Sequence, residues 1–132
     1  MAAKACGVRW FGLVSSAGAS PTSHFLYLRT KGETENDLAA LDLPHLSIFR
    51  PGYLKCARVE SRPMERIIGW FMPFSNFLTG ERSAIPTETV AKCMILDAME
   101  TACADAKGEP PSAVKIIDNK AMIDSVKLSE HA

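Results

Sequence analysis

Five large apolar residues fall within the seven positions Val8-Arg9-Trp10-Phe11-Gly12-Leu13-Val14, and they leave little polar surface on either side of an extended chain. A strand that is apolar on both faces belongs to a parallel sheet covered by helices on each side. The run feeds the small-residue loop Ser15-Ser16-Ala17-Gly18, then a long helical stretch, then a second apolar run from Leu46 to Phe49 closed by Arg50-Pro51-Gly52. Strand, helix and strand in this order make a crossover unit, which joins parallel neighbours and is right-handed in nearly all proteins. The class that follows is α/β, a parallel sheet with flanking helices.

The other elements are read from punctuation and periodicity. Ser20 is placed to cap the first helix, with Pro21 at its first position, and the helix is expected from about Pro21 to Ala40. Gly32 weakens it by roughly 1 kcal/mol relative to alanine. A further helix is expected from about Pro63 to Phe71, followed by the proline- and glycine-rich stretch Pro73 to Gly80. Pro86 to Ala106 is the clearest helix, with Val90, Met94, Ile95, Ala98 and Ala102 at helical spacing and Gly108 and Pro110-Pro111 as its stop. Ala113 to Ile117 reads as a third strand, and Asn119 as the cap of a last helix to about Leu128. The expected sheet has about three strands.

Composition narrows the function. The 132 residues suit one domain. Fifteen basic residues balance fifteen acidic ones, so charge offers no general case for nucleic acid. Cys6, Cys56, Cys93 and Cys103 show no C-x-x-C spacing and read as free thiols of a reducing compartment. Met1 to Val8 lacks the apolar core of a secretory signal, and the apolar run Ile67 to Phe74 is too short to span a bilayer. The expected location is cytoplasmic.

The candidate chemistry lies around the first loop. Tyr27 and Lys31 are four apart on the first helix and share a face. Ser15 and Ser16 lie at the C-terminal end of the preceding strand, the end at which open α/β sheets bind ligands. A tyrosine is a weak base unless a nearby ammonium stabilises its anion. A serine hydroxyl can hold a substrate oxygen while the tyrosine exchanges a proton with it. Alone, the Y-x-x-x-K spacing equally describes a packed tyrosine and a solvated lysine. His24, His45 and His131 are widely spaced and read as structural or surface residues, and Lys115, Asp118, Lys120 and Asp124 as solvated charges. Ile67 to Met72 reads as cover for a cleft or the core, with a partner or membrane-surface patch as the alternative.

The segments Leu13-Val14-Ser15-Ser16-Ala17-Gly18-Ala19, Phe25-Leu26-Tyr27-Leu28 with Lys31-Gly32-Glu33, Phe49-Arg50-Pro51-Gly52 and Glu60-Ser61-Arg62-Pro63 follow one another in order. Together they resemble the second half of the Tat-interacting oxidoreductase family, an atypical branch of the extended short-chain dehydrogenases/reductases, from about Met1 to Val126. The resemblance implies the C-terminal part of a Rossmann-like NAD(P)-binding domain over residues 1–132. Residues 1–52 then form the strand-helix-strand unit with Ser, Tyr and Lys, and residues 53–132 the cofactor and substrate side. It implies that Tyr27 transfers the proton and also contacts the cofactor, that Lys31 binds the nicotinamide ribose and assists the tyrosine, and that Ser16, with Ser15 as the alternative, is the catalytic serine. Leu54 and Arg62 match positions that contact an NADP-type cofactor, while Arg50 pins the loop by hydrogen bonds.

The implied activity is NADP-dependent hydride transfer on an alcohol or carbonyl compound. The alternative is a non-enzymatic regulatory or interaction protein, tied by resemblance to the nuclear import machinery or to apoptosis. The family's first half carries a G-x-x-G-x-x-G-type loop at a helix N-terminus, which holds the cofactor pyrophosphate. None of the eight glycines here forms that spacing. The expectation is therefore a chain that lacks the nucleotide-binding half, is weak or inactive alone, and self-associates through an open edge on its first strand.

Overall fold

The computed structural model describes residues 5–55, 84–110 and 114–130. The described elements run β1 (Trp10–Val14), α1 (Leu26–Ala39), β2 (His45–Arg50), β3 (Tyr53–Lys55), β4 (Ala84–Pro86), α2 (Thr87–Ala106), β5 (Val114–Asp118) and α3 (Asn119–Glu130). β1, β2 and β5 form a parallel sheet in that order, with Gly12, Ser47 and Lys115 in one row across it. β3 and β4 form a separate short parallel pair. A parallel sheet with helices on both faces is a partial Rossmann-like fold, as the apolar runs predict. The edge of β1 away from β2 pairs with no strand among the described residues.

Alternation along β2 divides the core. Leu46 and Ile48 face Phe11, Leu13, Leu38, Leu41 and Leu43 on the α1 side. Phe49 faces the opposite way and joins Val90 and Cys93 of α2, Ile117 of β5, and Met122 and Val126 of α3. Phe49, Ile48 and Met122 are among the most deeply buried side chains, so β2 is the centre of the sheet in packing as well as in order. At about 25 cal/mol per Å² of apolar surface removed from water, this two-sided burial is the main force holding the helices on the sheet.

α2 is also pinned by polar contacts. Its Asp97 carboxylate is buried and accepts hydrogen bonds from Trp10 Nε1 of β1 (2.8 Å), Ser47 Oγ of β2 (2.5 Å) and Lys115 Nζ of β5 (2.7 Å). One side chain thus ties all three strands to one helix. Trp10 reaches Asp97 by lying across Gly12: a Cβ there would fall 2.5 Å from the indole ring. Eight residues further along α2, Asp105 accepts from Arg9 Nε (2.6 Å) and pairs with His45 Nε2 (3.1 Å).

Several sequence expectations change. α1 begins at Leu26, not Pro21. Ser20 to Ser23 form a turn instead, with Ser23 N–H donating to Ser20 O and Thr22 N–H to Ser20 Oγ. This turn packs its backbone on Gly32, where a Cβ would lie 2.3 Å from Ser20 C and 2.4 Å from Pro21 N. Gly32 therefore admits the close approach that keeps this segment outside the helix. The cap of α3 is Asp118, whose Oδ1 accepts from Ala121 N–H at 2.8 Å, while Asn119 Oδ1 accepts from Gly52 N–H at 2.9 Å and ties β2's exit to α3. Asp118 and Lys115 are not simply solvated charges. The inward face of α2 carries Val90, Cys93 and Asp97, and Ile95 points outward with 60% of its surface exposed. The Pro63–Phe71 helix, the Ile67–Met72 patch, Cys56, Arg62 and His131 lie outside the described residues.

Candidate functional site

The site is built on the C-terminal ends of β1 and β2. The ladder between them continues past the strands: Ser15 N–H donates to Phe49 O at 2.7 Å and Ala17 N–H to Pro51 O at 2.8 Å. The serine loop and the Arg50-Pro51-Gly52 exit therefore run side by side. Gly18, at φ +78°, turns the chain away in a conformation that glycine adopts without strain.

α1 brings its functional face across this edge. Lys31 Nζ donates to Val14 O at 3.1 Å, so the ammonium is held where β1 ends, directly before Ser15 and Ser16. An ammonium has three N–H donors, and this bond uses one of them. Tyr27 lies one turn closer to the helix N-terminus on the same face and is 62% exposed. The two serines differ in environment. Ser16 is half-buried, and its hydroxyl makes a long 3.3 Å bond to Ala17 O. Ser15 is 4% exposed, and its Oγ finds no partner of good hydrogen-bond geometry among the described residues. Leu54 lies in β3, just after the Pro51-Gly52 turn, with its side chain partly exposed.

A further turn along α1 brings Glu35, which the sequence reading did not single out. Its carboxylate is buried and receives a two-pronged pair from Arg50, Nε to Oε1 at 3.0 Å and Nη2 to Oε2. Burial pushes the Glu35 carboxyl up, but the hydrogen bonds from Arg50, the nearby Ser15 hydroxyl dipole and the charges of Arg50 and Lys31 outweigh it and leave it below the ordinary carboxylate range. The hydrogen bond to Glu35 in turn holds Arg50 above its ordinary value. Spacing held the signal: Tyr27, Lys31 and Glu35 recur every four residues, and Arg50 ends the strand beside them.

The donor set can be compared with the NADP-type cofactor that the resemblance implies. An ammonium and a half-buried hydroxyl at one strand end, with an exposed phenol one turn away on α1, suit the hydroxyls of a nicotinamide ribose and a substrate oxygen. The phosphates find less. Gly52 already gives its N–H to Asn119, and the glycine spacings contain no pyrophosphate loop. The residues present thus fit the nicotinamide end of a dinucleotide.

Comparison with known proteins finds relatives over part of the chain. The chain is 43% identical over 93 residues to Protein HTATIP2 of Rattus norvegicus, a match covering 70% of this chain and 38% of that protein. It is 43% identical over 75 residues to Protein fmp52, mitochondrial, of Aspergillus clavatus, covering 57% of this chain and 32% of that one. Against Protein FMP52, mitochondrial, of Saccharomyces cerevisiae, it is 51% identical over 61 residues, covering 46% and 26%. The matches span between about a quarter and two fifths of these relatives' lengths. No family model matches. Over part of its length, the chain resembles an NAD(P)-binding, short-chain-dehydrogenase-like family that includes these proteins. The expectation of a cytoplasmic location is overturned, since the FMP52 relatives are named mitochondrial. Among the described residues, no helix is long and apolar enough to cross a membrane.

Proposed function

We propose that this chain carries the proton-transfer side of an NADP-dependent oxidoreductase site of the short-chain dehydrogenase/reductase type, acting on an alcohol or carbonyl compound. The observation that supports it is the placing of Lys31 on the Val14 carbonyl, beside Ser15-Ser16, from the helix that also carries Tyr27. In this reading Ser16 holds the substrate oxygen, because its hydroxyl is the more accessible of the two. Tyr27 donates a proton to that oxygen, or takes one from it, from an exposed position that a substrate can reach. Lys31 binds the ribose of the nicotinamide, and Leu54 and Arg62 contribute cofactor contacts. A bound nicotinamide supplies or accepts the hydride.

Titration of the chain with NADPH, followed by nicotinamide fluorescence, and NADPH consumption with a set of small and lipidic carbonyl compounds test this reading. Weak but saturable binding and slow turnover are expected, since the residues present fit only the nicotinamide end of the cofactor. Tyr27→Phe is expected to lower turnover by about 100-fold or more while NADPH affinity stays within about threefold. Absence of NADPH binding, or turnover that survives Tyr27→Phe, sinks it. The second reading is a non-enzymatic interaction protein, which absence of NADPH binding together with activity in a partner assay supports.

A further inference from the structure

The strand ends hold two cations from different elements, Lys31 of α1 and Arg50 of β2. Bringing both to one half-buried edge is unfavourable unless a negative charge sits with them, because their repulsion grows as water is excluded. Glu35 is in that place. Its two oxygens are taken by the Arg50 guanidinium, and the Lys31 charge acts on it from one turn away on the same helix face. A lysine and a glutamate four apart on a helix are within reach of each other and would ordinarily pair. Here Arg50 occupies the carboxylate, and Lys31 turns to the Val14 carbonyl instead.

We propose that Glu35 is a positioning residue of this site: as the shared counter-ion of Arg50 and Lys31, it keeps the Lys31 ammonium on the Val14 carbonyl, directed at the strand end. The functional meaning of this role rests on the reading of Lys31 as the cofactor-side lysine. The geometric claim stands by itself. A charge-balancing role differs from a mechanical anchor in one consequence. If Glu35 merely anchors α1 to β2, deleting Arg50 as well cannot repair its loss. If Glu35 balances charge, removing the second cation relieves Lys31 and restores its hold.

The test is nitrogen–proton correlation spectroscopy of the lysine ammonium groups of the full chain at low temperature, with the Lys31 signal assigned by its disappearance in Lys31→Met. A held, slowly exchanging Lys31 signal is expected in the wild type. It is expected to be lost in Glu35→Gln and regained in the double variant Glu35→Gln/Arg50→Gln. No held signal in the wild type, a signal unchanged in Glu35→Gln, or none in the folded double variant overturns the proposal. The double variant leaves neither partner of the pair charged, so absence of its signal overturns the proposal even if the single variant does not fold. NADPH-dependent turnover is read in parallel, with kcat expected to fall about tenfold or more in Glu35→Gln and to recover in the double variant. A wild type that does not bind NADPH refutes the oxidoreductase reading and leaves the ammonium measurement to decide positioning.

Discussion

Replacing Gly32 by alanine sets helix propensity against packing, and the two predict opposite signs. Propensity alone favours the variant by about 1 kcal/mol. In the fold, the new Cβ lies 2.3 Å from Ser20 C, 2.4 Å from Pro21 N and 2.7 Å from Ser20 Cα. These are backbone atoms, so no rotamer change relieves the contact, and reaching ordinary separation requires a movement of about 1 Å. The segment that must move is tied down: Ser20 N–H donates to Leu28 O at 3.1 Å, and the neighbouring Ala19 is buried. Overpacking of this kind costs about 1–3 kcal/mol. Loss of the Ser20–Leu28 bond adds about 0.5–1.5 kcal/mol. After the propensity gain is subtracted, the variant is destabilised by about 2 kcal/mol, with a range of roughly 0.5–3.5. With a urea slope near 2 kcal/mol per M, the unfolding midpoint falls by about 1 M. A midpoint that stays in place or rises refutes the assignment of Gly32 as the seat of the Ser20-Pro21 turn.

Asp97→Ala leaves Trp10 Nε1 and Ser47 Oγ without their acceptor and is expected to cost about 3–5 kcal/mol in urea unfolding; a loss under about 1 kcal/mol contradicts its role in joining the strands. Burial raises the Asp97 carboxyl, but Lys115, Ser47 and Trp10 outweigh it and hold it below the ordinary range, as Arg50 does for Glu35. Both carboxylates therefore add stability that is fully present above their unfolded values near pH 4 and is lost as pH falls through their lower folded values. Urea midpoints between pH 6 and about 2 should fall on that limb, less steeply in Asp97→Ala, and equal slopes for the two proteins argue against the assignment. Asp118→Ala should cost about 1 kcal/mol and speed exchange of the Ala121 amide, whereas Asn119→Ala should leave that amide protected and expose the Gly52 amide.

Apolar patterning made the sheet legible because Leu46, Ile48 and Phe49 bury β2 on both faces and the apolar side chains of β1 lie half-buried beside it. On α2 the same logic placed Val90 and Met94 in the core, as found, but it also turned Ile95 inward and did not single out Asp97, since a sequence does not show that three donors from three strands will converge on one carboxylate. At the site, Tyr27, Lys31 and the serine pair were legible through spacing and resemblance. Glu35 was missed because a glutamate on a helix ordinarily reads as a solvated charge, and its burial depends on Arg50, which belongs to another element. The start of α1 was misplaced for a related reason. Ser20-Pro21 is a fair helix start locally, but Gly32, eleven residues on, provides the seat that draws it into a turn.

The junction at Asp97 also bears on the order of events during synthesis. Trp10 and its acceptor are separated by 87 residues of sequence, and Ser47 and that acceptor by 50. A ribosome adding roughly 5–20 residues per second emits Asp97 some 4–17 s after Trp10. β1 and β2 can pair in that interval, with Phe11, Leu13, Leu46 and Ile48 setting the register on the α1 side, but the opposite face has no check on a slip of one residue until α2 arrives. Asp97 is then the reader of the register: it finds the Trp10 indole and the Ser47 hydroxyl on its own face, or it meets the wrong side of the sheet. Contacts this distant in sequence slow folding, so the chain should commit to its native sheet late, after α2 has emerged.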